Sequence, residues 1–178
     1  MQSKIKAIEK GKVMKHLYMI GGTMGVGKTT TCKILKDKLD NAVFLDGDWC
    51  WDSSPFQVTQ ETKAMVIDNI CYLLNNFLRV STYENIIFCW VMHEQSIIDL
   101  ILSKLILEKT KVHNISLVAN ENALRARLGR DVANGIRKAD VIERSVMRIH
   151  MYDKLDTVKI DVSNITAEEA AAMIQSLK

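Results

Sequence analysis

The chain has 178 residues, of which 48% are apolar and 25% are charged, a balance typical of a globular protein with a sizeable core. Its net charge of +3 gives no whole-chain attraction to nucleic acid, and no apolar stretch is long enough to span a bilayer. We therefore expect neither nucleic acid nor a membrane as a partner. Residues 1–15 are rich in lysine and lack the apolar centre of a signal peptide, so we expect a peripheral segment.

The four cysteines are widely spaced and form no C-x-x-C pair, so the sequence supports neither a zinc site nor a redox motif. Cys71 and Cys89 stand in apolar runs and are expected to be small core residues. This usage suits a reducing compartment, and we expect a cytoplasmic protein.

The first predicted strand, residues 16–20, leads into a glycine-rich segment with the pattern G-x-x-x-x-G-K-T, and a helix is predicted up to Leu39. Glycines bring several backbone N–H groups onto one anion, and the start of a helix favours negative charge. Lys28 can reach the terminal phosphates, and the Thr29 hydroxyl can ligate Mg²⁺. The predicted nucleotide-binding residues here are Gly22, Thr23, Met24, Gly25, Val26, Gly27, Lys28, Thr29 and Thr30.

A second buried strand, residues 42–45, ends in Asp46-Gly47-Asp48. The carboxyl ends of parallel strands meet at one edge of a sheet, so these carboxylates should lie beside the glycine-rich loop. Two carboxylates at that place suit magnesium and proton chemistry. The alternative is a turn with solvated aspartates.

The glycine loop, the helix and the strand ending in D-x-D resemble the small-molecule P-loop kinases, a group that includes shikimate kinase, gluconate kinase, adenylylsulfate kinase and chloramphenicol phosphotransferase. The resemblance implies that Lys28 is catalytic, that Asp46 joins Thr29 in supporting Mg²⁺, and that Asp48 orients or deprotonates the acceptor hydroxyl. In some relatives the two aspartates exchange these roles, so the division between them stays open.

The middle of the chain supplies possible acceptor contacts. Trp49 and Trp51 could form the wall of an acceptor pocket or pack under a loop. A long helix is predicted over residues 58–80, and an apolar strand over 86–92 ends at His93-Glu94, which could contact the acceptor or open a helix. This strand lacks the terminal aspartate that motor ATPases use for magnesium.

A helix over residues 95–108 and a strand over 114–119 come next. Six of the seven arginines then fall within residues 125–148, where Gly129 and Gly135 bracket a short piece between two helical runs. The segment resembles the lid of the P-loop kinases, which implies that Arg127 and Arg130, spaced as R-x-x-R, are catalytic and that Arg127 binds nucleotide. Arg137 and Arg144 are the second choices for these lid roles. A solvated helix face with pairs such as Asp140–Arg144 is the alternative.

The last strand, residues 157–162, precedes a capping box, T-A-E-E, that opens the final helix. In related kinases the turn between them lies near the adenine, which implies nucleotide binding by Ser163 and Asn164.

Strands that alternate with helices predict a three-layer α/β/α fold with a mainly parallel five-stranded sheet. The resemblance implies a P-loop NTPase fold with strand order 2-3-1-4-5. We expect one P-loop kinase domain over residues 1–178, with a lid at about 125–148. The predicted function is transfer of the γ-phosphoryl group of ATP, with Mg²⁺, to a hydroxyl of an unidentified small molecule.

The alternatives are a nucleoside or nucleotide kinase, an antibiotic-modifying kinase, and a non-catalytic ATP-binding switch. A regulatory GTPase is disfavoured, because Asn120-Glu121-Asn122 does not supply the Asn-Lys-x-Asp pattern that reads guanine. The oligomeric state stays open.

Overall fold

The structure, a computed structural model, describes residues 14–178. Most of the peripheral segment predicted at residues 1–15 lies outside the described residues. The prediction is wrong for the last residue of that segment: Lys15 begins the first strand and is only 7% exposed. Hydrogen bonds offset the cost of burying this side chain. Its Nζ donates to the carbonyl oxygens of Val80 and Tyr83, at 2.6 and 2.8 Å.

One sheet of five parallel strands forms the middle layer, in the order β2-β3-β1-β4-β5. The predicted fold and strand order are thereby confirmed. The strands are β1 Lys15–Gly21, β2 Ala42–Asp46, β3 Asn85–Cys89, β4 Thr110–Val118 and β5 Val158–Asp161. Since β3 lies between β1 and β2, the ends of these three strands form one continuous edge.

Helices cover both faces of the sheet and enclose two apolar cores. On one face, α1 packs against α6, and on the other α2 packs against α3. Two short 3₁₀ turns, at Gly47–Cys50 and Ile149–Met151, complete the chain. The helices are α1 Lys28–Lys38, α2 Gln60–Arg79, α3 Gln95–Ser103, α4 Glu121–Ala133, α5 Val141–Val146 and α6 Ala167–Gln175. None of the helices within residues 14–178 is both long and apolar enough to cross a membrane.

Three predicted boundaries are wrong. The strand predicted over 86–92 ends at Cys89, and the other two differences have identifiable reasons. The helix predicted over 95–108 ends at Ser103, because Asn75 of α2 donates to the Lys104 carbonyl at 3.0 Å and accepts from Ile106 N–H at 2.9 Å. The strand predicted to begin at residue 114 begins at Thr110, where polar residues pair with β1. The predicted capping box of α6 is confirmed, since Thr166 and Glu169 each accept the other's backbone N–H.

Two histidines meet on the sheet near the start of β1. His16 Nδ1 lies 3.0 Å from His113 Nε2, and the His113 ring stacks on Tyr18 at 4.7 Å between centroids. Burial lowers the pKa of His113 to about 4, with help from the charges of His16 and Lys111, and burial also lowers the pKa of His16. Both rings are therefore held neutral in the folded protein at neutral pH.

This depression predicts acid-sensitive stability. A histidine whose folded-state pKa lies below its unfolded value of 6.5 stabilises the fold fully above pH 6.5, and that contribution is lost as pH falls toward 4. We expect the free energy of unfolding to fall by up to about 1.4 kcal/mol per pH unit for each such proton between pH 6.5 and 5. Urea unfolding of His113→Asn should show a flatter pH dependence in that window. Met147→Asn, at a side chain that is 78% exposed and does not titrate, should keep the wild-type slope; equal slopes in both variants would refute the assignment.

Candidate active site

The glycine-rich loop joins β1 to α1 through backbone conformations that favour glycine. Gly22, Gly25 and Gly27 have φ angles of 152°, 79° and 105°. Gly25 also faces α4 so closely that a Cβ there would lie 2.4 Å from Cδ2 of Leu128. The loop therefore depends on glycine both for its turns and for its contact with α4.

Lys28, the first residue of α1, folds back over the loop. Its Nζ donates to the carbonyl oxygens of Gly22 and Thr23, at 2.8 and 3.1 Å. Burial lowers the pKa of this ammonium, and the nearby carboxylates of Asp48 and Asp46 oppose that shift. The positive charge is thus placed between the loop and the two aspartates that the sequence singled out.

Thr29 and Asp46 are joined directly. The Thr29 Oγ1 donates to Asp46 Oδ2 at 2.7 Å, and Asp46 is only 5% exposed. The other Asp46 oxygen accepts the backbone N–H of Asp48 at 3.1 Å, so the same carboxylate shapes the turn after β2. A hydroxyl and a carboxylate in contact fit Mg²⁺, which prefers oxygen and takes few protein ligands beside phosphates and water. The described residues contain no cluster of three or more His, Cys, Asp or Glu side chains suited to a metal.

Asp48 lies near the start of the Gly47–Cys50 turn and next to Trp90. The residue before it must be glycine, since a Cβ on Gly47 would lie 2.6 Å from Cγ of the Trp90 ring. Burial raises the pKa of Asp48 above its usual value, and the charge of Asp46 adds to the shift. Lys28, a hydrogen bond from the Trp90 side chain and the charge of Arg137 oppose it.

A polar cavity of about 430 Å³ lies over the glycine-rich loop, and we call it the loop cavity. Among the residues predicted for the site, it brings together parts of the loop, both aspartates and three of the four predicted arginines. Its lining is Met24, Gly25, Gly27, Lys28, Thr29, Thr30, Asp46, Asp48, Val91, Arg127, Arg130, Asp131 and Arg137. Gly22, Thr23 and Val26 support the loop without lining this cavity.

A second, mainly apolar cavity of about 550 Å³ adjoins the first, and we call it the tryptophan cavity. Asp48 and Val91 line both cavities, so the aspartate stands at their boundary. The other lining residues are Trp51, Val58, Lys63, Val66, Ile67, Trp90, His93, Glu94, Ile97 and Arg148. Of the two tryptophans considered from sequence, only Trp51 lines it, since Trp49 packs edge-on against Phe44 at 5.2 Å between ring centroids.

Sequence reasoning missed Trp90 and Arg148. Trp90 stood inside an apolar run, although a tryptophan at the ligand edge of a central strand was a usable signal. Arg148 was grouped with the other arginines, but it is half-buried in the tryptophan cavity and pairs with no carboxylate in residues 14–178.

The arginines of residues 125–148 divide by their contacts. Arg125 bonds Glu121 at 2.7 Å and Glu143 at 2.6 Å, and Arg144 pairs with Asp140 at 3.1 Å as the solvated-face alternative expected. Arg130 and Arg137 line the loop cavity, where Arg137 also pairs with Asp131 at 3.2 Å. Gly129 lies within α4 rather than at the edge of a flexible piece, because that helix continues to Ala133.

Arg127 connects the loop to the end of β5. Its guanidinium donates to the carbonyl oxygens of Val26 and Val162, and it lines both the loop cavity and a third cavity of about 260 Å³ beside β5 and α6. Val162 and Ile165 line this third cavity, whereas Ser163 and Asn164 do not. The Ser163 hydroxyl instead accepts Asn120 N–H at 2.8 Å and donates to Asp161. The role of Ser163 and Asn164 in nucleotide binding stays a prediction.

Helices α4 and α5 and the turn after them are anchored to the glycine-rich loop. The buried Thr23 hydroxyl donates to the Ser145 carbonyl of α5 at 3.1 Å. The fully buried Tyr152 ring lies near Gly21, where a Cβ would be 3.7 Å from its Cε1. Leu124, Leu128 and Val141 form a small apolar cluster that Met24 of the loop joins. Residues of α4 and of α5 therefore contact the glycine-rich loop.

Residues 19–148, which are most of the chain, match the sequence profile of the AAA domain family. The chain belongs to the AAA domain family. No curated protein sequence is detectably similar to this AAA domain protein.

Solved structures share the fold of this AAA domain protein over nearly its whole length. The tunicamycin resistance protein of Deinococcus radiodurans is 20% identical, with a TM-score of 0.71 over 92% of this chain and 95% of that one. A gluconokinase from Sinorhizobium meliloti 1021 is 16% identical, with a TM-score of 0.66 over 93% and 94%. The APS kinase of Mycobacterium tuberculosis, solved with AMPPNP and APS, is 11% identical, with a TM-score of 0.66 over 93% and 98%. The resemblance to the small-molecule P-loop kinases is confirmed, and the fold is kinase-like.

Proposed function

We propose that this protein is an ATP-dependent phosphotransferase that moves the γ-phosphoryl group to a hydroxyl of a small molecule. The observation that carries the proposal is the position of Asp48, which lines both the polar loop cavity and the apolar tryptophan cavity. A kinase needs a proton-accepting group between its phosphate donor and its acceptor. Residues 1–178 would act as one kinase domain, with ATP bound at the loop and the acceptor in the tryptophan cavity.

The loop residues would hold the phosphates. Backbone N–H groups between Gly22 and Thr30 and the N-terminus of α1 would bind the phosphate oxygens, and Lys28 would exchange its bonds to loop carbonyls for bonds to phosphate. Thr29 and Asp46 would hold Mg²⁺, which when bound neutralises charge on the phosphates. The third cavity, which Arg127 also lines, would receive the adenine, near the predicted Ser163 and Asn164 turn.

Asp48 would accept the proton of the acceptor hydroxyl as the phosphoryl group is transferred. A pKa raised by burial makes a carboxylate a stronger base than a solvated aspartate, provided that it is ionised at the working pH. Arg130 and Arg137 would stabilise the charge of the transferring group from the lid, residues 125–148. Holding donor and acceptor in line would contribute most of the rate.

The structural relatives leave the acceptor open, because their names refer to gluconate, APS and tunicamycin. The tryptophan cavity has two indole side chains, which suit an acceptor with a flat face. A nucleoside or nucleotide is therefore the second candidate acceptor. Arg148, which pairs with no carboxylate among the described residues, favours an acceptor that carries an anionic group.

The function is tested by ADP release from Mg²⁺-ATP across pooled nucleosides, nucleotides, sugars, hydroxy acids and antibiotics. We expect one pool to raise ADP release well above the ATP-only background and Lys28→Ala to abolish the rise. ATP binding with no response in any pool would instead favour a non-catalytic switch.

Asp48→Asn should lower kcat with the responsive pool by about 10²–10⁴-fold while ATP affinity changes little, because the amide cannot accept the proton. In the wild type, the rate should be lost as pH falls through the Asp48 pKa, which is raised, so the acidic limb should lie above that of an ordinary aspartate. The exposed Asp52 lines neither cavity, and Asp52→Asn is the matched control. Full turnover in Asp48→Asn would remove the residue from the mechanism.

Arg130→Ala should lower kcat by about 10²–10³-fold if its guanidinium faces the transferring group. Arg125→Ala should leave kcat unchanged, because Arg125 is engaged with Glu121 and Glu143 outside the loop cavity. Steady-state kinetics on both variants checks this difference, and equal effects would place Arg130 outside the catalytic centre.

A further inference from the structure

The tryptophan cavity does not end at His93 and Glu94. Both residues also line a further cavity of about 530 Å³, which we call the outer cavity. Its other lining residues are Gln95, His150, Met151, Lys154 and Leu155. Each of the two cavities falls within the size range of a small-ligand site, about 300–1,000 Å³, so together they exceed what a single sugar or ring would fill.

The outer cavity is mainly apolar although it is open to solvent. Met151 is 38% exposed, and Leu155 joins the core beneath it. The long stem of Lys154 adds apolar surface while its ammonium can stay in water. A surface of this kind favours a flexible apolar chain more than a polar or charged group.

The junction between the two cavities carries an unsatisfied polar atom. His93 Nδ1 is buried and has no hydrogen-bond partner in the part of the chain that the structure describes, and His93 Nε2 lies 3.6 Å from Glu94 Oε1. Buried nitrogen atoms are normally hydrogen-bonded, so a rotation of the His93 ring that brings Nδ1 to the junction would let it bond to a polar atom of a ligand that crosses there.

We propose that the acceptor is an amphiphile, with a hydroxyl-bearing head in the tryptophan cavity, a polar linking group at His93 and an apolar arm in the outer cavity. This inference rests on the proposed function, because it identifies the head by its place beside Asp48. The three parts follow the order of the lining: a carboxylate and indoles first, then the imidazole, then methionine and leucine side chains.

The test compares methyl and octyl members of three probe pairs: β-D-glucosides, gallate esters and 4-hydroxybenzoate esters. Binding is measured by isothermal titration calorimetry without ATP and below the critical micelle concentration. In at least one pair, we expect the octyl member to bind at least about tenfold more tightly and with a more negative heat-capacity change, which marks apolar burial.

Met151→Arg should remove most of this octyl advantage, because it places a charge in the outer cavity. Met151→Ser, which deletes apolar surface without adding charge, should reduce the advantage as well and covers the case in which the arginine variant does not fold. The matched control is Met147→Arg, since Met147 is 78% exposed and lines neither cavity.

No octyl advantage in any pair, or an advantage that survives both Met151 substitutions, overturns the inference. ADP release measured with the same probes separates the two proposals. An advantage that depends on Met151 but yields no ADP release with any acceptor would count against the kinase proposal and leave the amphiphile site standing. ADP release that is stronger with methyl than with octyl members would support the kinase proposal and count against the amphiphile site.

Discussion

The hydrogen bond from Thr29 to Asp46 joins two parts of the chain on which the rest of the site depends. Thr29 is in the first turn of α1, and Asp46 ends β2, which is separated from β1 by the whole of β3. The bond is possible because α1 starts above the edge shared by the three strands and because Asp46 is paired in register with Cys89 at the end of β3. The same carboxylate then fixes the turn that presents Asp48.

The loop and the D-x-D turn could be predicted from sequence because their chemistry depends on residue type at fixed spacing. Glycines followed by a lysine and a threonine at a helix start form a pattern that is specific to phosphate binding, and the edge rule for parallel sheets placed the two aspartates beside it. The strand order came from resemblance to a family and not from periodicity, which carries no information about which strands are neighbours.

What could not be predicted depends on side chains that meet through the fold. Nothing local distinguishes Trp51, in the cavity wall, from Trp49, two residues earlier, because the direction of each indole is set by a short 3₁₀ turn. The arginines posed the same difficulty, since Arg125 and Arg130 differ only in which helix face they occupy. The end of α3 was missed because the group that stops it, Asn75, is about thirty positions earlier in the chain.

The contact between Gly25 and Leu128 has a consequence for how such a protein can change during evolution. The glycine-rich loop and α4 are so close at Gly25 that there is no space for even a methyl group. The hydrogen bond between Thr23 and Ser145 connects α5 to the same loop. Substitutions on the inner side of these helices must therefore be compatible with the phosphate loop, which can itself vary little. The residues between the helices, 134–140, are exposed and, apart from Arg137 in the loop cavity, are free of that constraint. Insertions and exchanges there can alter what covers the site while the loop geometry is inherited unchanged.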